Sequence, residues 1–197
     1  FKSKKTTILG IEPSKNVALI AKRNKINTLN KFFTYNNVKK LNKFKKKTDL
    51  ICAANAICHI PDLKDLIKGI DILLSKKGVF IFEEPYLGSM YKKTSYDQIY
   101  DEHIFIFSLS SIKKIFDLFG FDLIDAKQQS THGGSMRYVI ARKGEYKIRK
   151  IVKNLLRIEK NKHIDSIKGC LKFKKKCEIS RKKLRKKIFN IKKQKKS

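Results

Sequence analysis

The chain has 197 residues, of which 48 are Lys or Arg and 17 are Asp or Glu, giving a formal net charge of +31. Its 41% hydrophobic and 10% aromatic residues can fill a core, which excludes a wholly disordered or fibrous protein. No run approaches 18 consecutive apolar residues and no secretory leader opens the sequence, so we expect a cytoplasmic protein without a membrane partner.

The positive charge is concentrated at the two ends of the chain. Residues 1–47 carry 14 basic residues and 1 acidic one, residues 48–144 carry 12 of each, and residues 145–197 carry 22 basic and 4 acidic. Basic ends of this kind can bind the phosphates of a nucleic acid. Against that reading, 41 of the 48 cations are Lys and only 7 are Arg, which is the better reader of phosphates and bases. Specific nucleic-acid binding is therefore an alternative rather than the leading hypothesis.

Short apolar runs alternate with helical periods over residues 1–144, which predicts an open α/β sheet. In chain order, the first predicted elements are a strand over 6–12, a helix from Pro13-Ser14 with Val17, Ala18, Ile20 and Ala21 on its apolar face, a strand over 48–54, a helix from Pro61-Asp62 to Lys77-Gly78, and a strand over 79–82.

A second group of elements follows a long polar loop. It comprises a helix capped by Ser108 or Ser110 with Ile112, Ile115, Phe116 and Phe119 on one face and Gly120 as its stop, and then a pair of strands over 121–124 and 137–141. Residues 145–197 have a helical, strongly basic pattern, and we expect the last twenty to form a helix that is cut short or frayed. The chain thus divides into an α/β part, 1–144, and a basic helical segment, 145–197.

The four cysteines show no pattern of a structural framework. Cys52 and Cys58 lie in an apolar stretch, and Cys170 and Cys177 lie among lysines. No CxxC pair occurs, and no His stands at metal-ligand spacing from them. We predict reduced thiols, no disulfide and no metal site.

Polar side chains follow three of the predicted strands, at the ends where open parallel sheets bind ligands. Glu12 ends the first strand, Asn55 and His59 follow the second, and residues 83–86 follow the third. A carboxylate such as that of Glu12 can accept hydrogen bonds from both ribose hydroxyls of a nucleoside cofactor. The alternative is an exposed carboxylate, or one that caps the next helix.

Residues 96–103 combine two tyrosines, three carboxylates and one histidine on a predicted loop. His103 stands directly after Glu102, and a neighbouring carboxylate is one way in which a general base is oriented. The alternative is a polar surface loop without a chemical role.

Residues 130–137 join the last two predicted strands through a glycine pair. Gly133 and Gly134 would let main-chain N–H groups approach a phosphate, and Arg137 would supply positive charge. A Gly-Gly hairpin turn without a ligand is the alternative reading.

Together these segments resemble a known family. The segments that carry the resemblance are Gly10-Ile11-Glu12-Pro13-Ser14, Asn55-Ala56-Ile57-Cys58-His59-Ile60-Pro61-Asp62-Leu63, Glu83-Glu84-Pro85-Tyr86-Leu87, Tyr96-Asp97-Gln98-Ile99-Tyr100-Asp101-Glu102-His103 with Phe107-Ser108-Leu109, and His132-Gly133-Gly134-Ser135-Met136-Arg137. The first two resemble strand regions of class I S-adenosylmethionine (SAM) methyltransferases with a Rossmann-like sheet. The others are similar to the sugar C-methyltransferases, which methylate a carbon of a nucleotide-linked 4-keto-deoxysugar.

The resemblance implies an enzyme that uses SAM as cofactor and a nucleotide sugar as substrate. Methylation of a carbon beside a ketone needs a base for the α-proton and a stabiliser for the enolate. By the resemblance, His103 is that base with Glu102 orienting it, while Tyr100 and His59 bind the sugar and its enolate oxygen. The remaining implied contacts are Glu12, Pro13 and Asn55 to the cofactor, and Tyr86, His132, Gly133, Gly134, Ser135 and Arg137 to the sugar nucleotide.

The sequence also departs from the family. Asp101 stands where the family usually has His, and Ile106 where it usually has Tyr. The family's cysteine-rich zinc domain and the first strand with its glycine-rich loop should precede Phe1, so we expect a piece of a larger enzyme, inactive or weak in cofactor binding by itself. Two alternatives stay open, a nucleic-acid-binding protein on a methyltransferase-like scaffold and a methyltransferase that modifies oxygen or nitrogen of a small molecule.

Overall fold

A computed structural model describes residues 6–194 of the chain. Its mixture of strands and helices confirms the predicted α/β class. The described residues form two compact units, one made of residues up to 51 together with 62–78, the other of 52–61 together with 79 onward. Among these residues, no helix combines the length and the apolar character that crossing a bilayer requires.

The first unit is built mainly from helices and one small sheet. Its elements are β1 (Gly10–Ile11), α1 (Lys15–Arg23), β2 (Thr28–Leu29), α2 (Tyr35–Val38) and α3 (Leu63–Leu73). Strands β1 and β2 pair in parallel, with Gly10 opposite Thr28 and Ile11 opposite Leu29. Helix α3 begins at Asp62, whose side chain accepts a hydrogen bond from the N–H of Asp65.

Two predictions for this unit are wrong. The first strand covers two residues, Gly10–Ile11, rather than the seven predicted over 6–12. The predicted apolar face of α1 is not buried, since Val17 is 51% exposed and only Ala18 lies in the core. The two-residue strands beside α1 offer too little surface to bury a helix face.

Strands β3 (Thr48–Ala54) and β4 (Leu74–Pro85) contribute residues to both units. Strand β3 has the bounds that the sequence predicts. Strand β4 starts five residues earlier than predicted, because the chain becomes extended at Leu74 and α3 ends there rather than at Lys77-Gly78. Gly78 allows β4 to approach β3 closely, since a Cβ at this position would lie 2.6 Å from the carbonyl oxygen of Thr48.

The second unit contains the rest of the chain. After β4 come α4 (Leu87–Lys93), α5 (Leu109–Asp117), β5 (Phe121–Gln129), β6 (Ser135–Arg142), α6 (Lys150–Asn161) and α7 (Ile167–Lys193). Single 3₁₀ turns cover Ile57–His59, Tyr96–Gln98 and Thr131–Gly133. The four-stranded sheet has the order β3-β4-β6-β5, and β6 runs antiparallel to both of its neighbours.

Aromatic rings form the centre of this unit. Phe82 stacks on Phe80 and on Tyr138, with ring centroids 4.9 and 4.8 Å apart, and Phe116 of α5 covers the same rings. All four residues are buried. Alternation along β4 places Phe80, Phe82 and Glu84 on one face, so a carboxylate shares the side of the strand that faces the core.

The helix ends differ from the predictions in two places. Ser108 is the cap of α5, as one of the two predicted candidates, but α5 ends at Asp117, and Gly120 takes φ +76° in the turn that leads into β5. Helix α7 is continuous for 27 residues, so the prediction of a shortened or frayed helix is wrong for the described chain. Its lysines and arginines are good helix formers, and the Ser166 hydroxyl caps its start.

Candidate functional site

An open cleft of about 420 Å³ lies in the second unit. Its lining brings together four segments, namely the turn after β3, the end of β4, the loop before α5 and the turn between β5 and β6. The lining residues are Asn55, His59, Pro85, Ser95, Asp97, Gln98, Tyr100, Glu102, His103, His132 and Gly133. Seven of them are residues that the sequence predicts for a site, namely Asn55, His59, Tyr100, Glu102, His103, His132 and Gly133.

The turn after β3 is held by a buried carboxylate. Asn55 takes φ +47°, which Asn tolerates better than most residues, and the chain then forms the 3₁₀ turn Ile57–His59. Glu84 is fully buried, and its Oε1 accepts hydrogen bonds from the N–H groups of Ala56 at 3.0 Å and Ile57 at 2.7 Å. Glu84 thereby fixes the main chain that carries Asn55 and His59.

Sequence reasoning places Glu84 at a strand end but does not predict this anchoring role. The burial of Glu84 could have been predicted from the sequence, because strand alternation puts it on the same face as Phe80 and Phe82. A carboxylate at such a position needs buried donors, and two main-chain N–H groups supply them. Burial, together with the neighbouring Glu84 carboxylate, raises the pKa of the Cys58 thiol well above its usual range.

His103 presents its ring to the cleft in a defined tautomer. Its Nδ1 lies 3.1 Å from the main-chain oxygen of Gln98, which can only accept, so Nδ1 carries the proton. In the neutral ring, Nε2 then holds a lone pair, as a general base requires. The ring of Tyr100 lies 4.1 Å from that of His103, and the ring of His59 lies 5.2 Å away, measured between centroids.

Glu102 does not orient His103 as predicted. The partner of His103 Nδ1 is the Gln98 carbonyl, and the described chain shows no hydrogen bond or ion pair between the Glu102 carboxylate and His103. Instead the main-chain oxygen of Glu102 accepts a hydrogen bond from His59 Nδ1 at 2.5 Å. Glu102 therefore positions the other histidine, and it does so through its main chain.

The turn between β5 and β6 reaches the cleft through His132 and Gly133. His132 takes φ +48°, and its Nε2 lies 2.8 Å from Nδ2 of Asn55, so the amide donates and Nε2 accepts. Lys93 donates to the carbonyl oxygen of Gly133. The other end of this turn is already engaged, because Arg137 pairs with Glu83 at 3.0 Å.

Three of the residues predicted to contact substrate are occupied elsewhere in the second unit. Ser135 is fully buried, and its hydroxyl donates to the carbonyl oxygen of Thr131. The carbonyl oxygen of Gly134 accepts from the N–H of Tyr86, which is itself 3% exposed. One cause explains why these residues do not face the cleft. The β4–β6 pairing draws residues 134–135 and Tyr86 into the interior.

The Tyr86 hydroxyl donates to Oε1 of Glu159 at 2.8 Å. Glu159 comes from α6 and is fully buried, and it also accepts from the N–H groups of Leu109 at 2.7 Å and Ser110 at 2.9 Å, at the start of α5. Burial and the neighbouring Glu159 raise the pKa of Tyr86 well above its usual range. Tyr86 is therefore a structural residue in this unit.

Glu12 and Pro13 lie in the first unit. Glu12 is partly buried, and its Oε1 accepts from the N–H of Ser14 at 2.7 Å, just before α1. Ser14 is the N-cap residue of α1, so Glu12 holds the residue before the helix and does not cap the helix itself. Oε2 has no hydrogen-bond partner among residues 6–194, so one carboxylate oxygen stays available to a ribose hydroxyl. Asn30 donates to the carbonyl oxygens of both Glu12 and Pro13, which fixes this turn.

Cys58, His59 and His103 form a group whose possible ligand atoms all lie within 4.8 Å of one another. The sequence predicts no metal site, because His103 stands 45 residues from Cys58 and matches no spacing rule. The four cysteines are free. The group combines sulfur with two imidazoles, which are ligand types that zinc accepts.

Comparisons with known proteins place the chain. A family profile described as a methyltransferase domain matches residues 1–126. The chain belongs to the methyltransferase family. A second profile, described as a C-methyltransferase C-terminal domain, matches residues 130–197. Methyltransferases of this family use SAM as cofactor.

Individual relatives agree with this family. C-methyltransferase NovU from Streptomyces niveus is 27% identical over 165 residues, which cover 83% of this methyltransferase and 39% of NovU. The chain thus spans about two fifths of the length of that curated relative. A SAM-dependent methyltransferase from Anabaena variabilis has a TM-score of 0.51 at 17% identity, covering 68% of each chain. Magnesium protoporphyrin IX methyltransferase from Synechocystis, solved with bound SAH, has a TM-score of 0.50 at 14% identity, covering 70% of this chain and 64% of its own. The solved structures establish the Rossmann-like fold of class I methyltransferases.

Proposed function

We propose that this methyltransferase belongs to an enzyme that transfers the methyl group of SAM to a carbon of a nucleotide-linked 4-keto-deoxysugar. Transfer to carbon is supported by the C-methyltransferase profile over residues 130–197 and by the similarity to NovU. The sugar substrate is supported by the sugar C-methyltransferase motifs in residues 83–137. The free cysteines are compatible with work in the cytoplasm.

The observation that carries the proposal is the tautomer of His103. Its Nδ1–H is committed to the carbonyl oxygen of Gln98, so Nε2 has the lone pair that removes a proton from the carbon next to the ketone. The C–H electron pair moves into an enolate, and that carbon then becomes the nucleophile. SAM supplies the electrophilic methyl group when it is bound.

An enolate oxygen needs a hydrogen-bond donor, and the cleft offers two candidates. Tyr100 carries a hydroxyl beside the His103 ring. His59 donates from Nδ1 to Glu102, so its Nε2 is an acceptor when the ring is neutral and a donor only as imidazolium. We therefore assign the enolate oxygen to the Tyr100 hydroxyl first. A donor at such an oxygen typically lowers the activation barrier by about 3–4 kcal/mol.

The cofactor and nucleotide contacts remain part of the proposal. Glu12, with its available Oε2, and the adjoining Pro13 would contact the ribose end of SAM, and Asn55 the methionine end. His132 and Gly133 would meet the sugar nucleotide, because both line the cleft. Arg137 could contribute to phosphate binding only by leaving its ion pair with Glu83.

Exchange of the α-proton tests the base without any methyl donor. The chain is incubated in deuterium oxide with a nucleotide-linked 4-keto-6-deoxysugar, and deuterium at the α-carbon is followed by NMR. We expect His103→Gln to slow exchange by about 10²–10⁴-fold. His163→Gln is the matched control, because His163 lies outside the cleft in the α6–α7 connection. Equal exchange by wild type and His103→Gln would exclude the base assignment, and methylation of an oxygen or nitrogen acceptor would favour that alternative.

One observation favours a second candidate function. Helix α7 carries eleven Lys and two Arg against one Glu, and most of its residues are exposed. A basic helix of this kind can bind the phosphates of nucleic acid with a steep salt dependence. Submicromolar RNA binding that weakens about tenfold or more between 50 and 200 mM salt would support this function.

A further inference from the structure

We propose that Cys58, His59 and His103 bind a divalent transition metal such as Zn²⁺, and that the metal competes with the base role of His103. The possible ligand atoms of the three residues lie within 4.8 Å of one another. The set is one sulfur and two imidazole nitrogens, which suits Zn²⁺ or Co²⁺ and not Mg²⁺ or Ca²⁺.

The two segments that carry the ligands are already joined by their main chains. The N–H of Phe105 donates to the carbonyl oxygen of Cys58 at 3.2 Å, and His59 Nδ1 donates to the carbonyl oxygen of Glu102. Glu84 holds the start of the Ile57–His59 turn through the N–H groups of Ala56 and Ile57. The metal would therefore bind between segments that are fixed without it.

Both histidines are in the tautomer that ligation through Nε2 requires. Nδ1 of His59 faces the Glu102 carbonyl, and Nδ1 of His103 faces the Gln98 carbonyl, so each ring leaves Nε2 as its electron-pair donor. Metal-bound histidines usually donate their other ring N–H to a carbonyl or carboxylate in this way. The outer partners of a metal site are thus present for both imidazoles.

Ligation by Cys58 releases a proton. The S–H bond breaks, the sulfur keeps the electron pair for the metal, and the proton passes to solvent. The metal charge must offset the burial of Cys58 and the neighbouring Glu84, which raise the pKa of the thiol. Zinc bonds of about 2.0–2.3 Å in a tetrahedral site place ligand atoms roughly 3.5 Å apart, so the group must close by up to about 1.3 Å.

The metal and the substrate proton compete for the same electron pair of His103. The Nε2 lone pair of His103 cannot bind a metal and remove a substrate proton at the same time. This consequence, unlike the metal site itself, rests on the proposed function. Metal occupancy would hold the enzyme inactive until the ion is removed.

Cobalt spectroscopy of the full 197-residue chain tests the site. The chain is freed of metal by dialysis against a chelator and titrated with Co²⁺, whose d–d and sulfur-to-cobalt bands report tetrahedral thiolate ligation. We expect one Co²⁺ per chain, displaced by Zn²⁺. Cys58→Ser should abolish the sulfur-to-cobalt band and weaken binding by at least about 100-fold, beyond the 10–100-fold cost of losing an outer partner.

Matched variants keep the test selective. Cys52→Ser removes an exposed cysteine outside the group, and His132→Gln removes a cleft histidine outside it, so both should bind Co²⁺ as wild type does. Since Cys58 is buried, His59→Gln provides a second ligand variant at an exposed position. An unchanged cobalt spectrum in Cys58→Ser, or in folded His59→Gln, overturns the site.

Deuterium exchange separates this inference from the proposed function. Slower exchange of the wild-type chain with Zn²⁺, restored by chelator, supports the competition. Co²⁺ binding by a chain that shows no exchange when it is free of metal supports the metal site and overturns the proposed function. Exchange by a chain that binds no Co²⁺ supports the proposed function and overturns the metal site.

Discussion

Removal of the Glu84 carboxylate should loosen the turn that carries two of the candidate site residues. Glu84→Ala takes away the acceptor of the Ala56 and Ile57 N–H groups, at 3.0 and 2.7 Å. Each hydrogen bond to a charged group contributes about 1.5–3 kcal/mol. Glu84 Oε2 is buried without a partner, so its removal returns about 1–3 kcal/mol. The two bonds together contribute about 3–6 kcal/mol, so the expected net loss is about 2–3 kcal/mol.

Glu84→Gln keeps an oxygen acceptor but removes the charge, and should fall between wild type and Glu84→Ala. Urea unfolding followed by circular dichroism gives the global change. Hydrogen exchange at the amides of Ala56 and Ile57 gives the local change, and a loss of about 2–3 kcal/mol corresponds to exchange about 30–150-fold faster.

Glu178→Ala is the control for these variants, because Glu178 is a half-exposed residue of α7 whose ion pair is the surface pair with Arg181. We expect this substitution to change the free energy of unfolding by less than about 0.5 kcal/mol. If Glu84→Ala lies within about 0.5 kcal/mol of wild type and the amides of Ala56 and Ile57 exchange at wild-type rates, the anchoring role of Glu84 is refuted.

Three further predictions concern stability. Tyr86→Phe removes the donor to a buried carboxylate and should cost about 1–3 kcal/mol, seen as a Tm several degrees lower; an unchanged Tm would contradict the buried hydrogen bond. Gly134→Ala should cost at least about 1 kcal/mol more than Gly144→Ala, because both have positive φ but only the Cβ at 134 would clash, 2.5 Å from a serine side chain; equal costs would argue against that close approach. The hydrogen bond and charge of Lys113 lower the pKa of Asp117, so their stabilisation is present above about pH 4 and lost as the pH falls through the folded-state pKa. Lys113→Ala should accordingly lower Tm at about pH 6 and leave it unchanged at about pH 2, and an equal loss at both pH values would rule out that pairing.

Much of the fold could be predicted because apolar runs and helical periods are local patterns that the sequence shows directly. The apolar run bounded by polar residues gives β3 its bounds, Thr48–Ala54, without error. The pattern fails for α1, because an apolar stripe predicts burial only when a neighbour is large enough to cover it. It fails at Lys77-Gly78 because a glycine required by strand pairing resembles one that ends a helix.

The sequence predicted which side chains line the candidate site, but it did not predict the hydrogen bonds that hold them. The resemblance singles out His59 and His103, and the fold brings them to one cleft. The orienting partner was assigned to the Glu102 carboxylate, whereas the partners of both rings are main-chain carbonyls. Every residue has a carbonyl, so side-chain identity carries no information about such a partner. Glu84, in contrast, could have been found from strand alternation.

The buried Glu159 has a consequence for the exchange of domains between relatives. It lies in the part matched by the C-terminal profile, yet its carboxylate completes the start of α5 and the Tyr86 hydroxyl, both in the part matched by the other profile. A chimera joined near residue 128 would inherit these donors from one parent and their acceptor from the other. Grafts should therefore succeed only between parents that both carry the tyrosine and the glutamate, so recombination would have to move the two residues together.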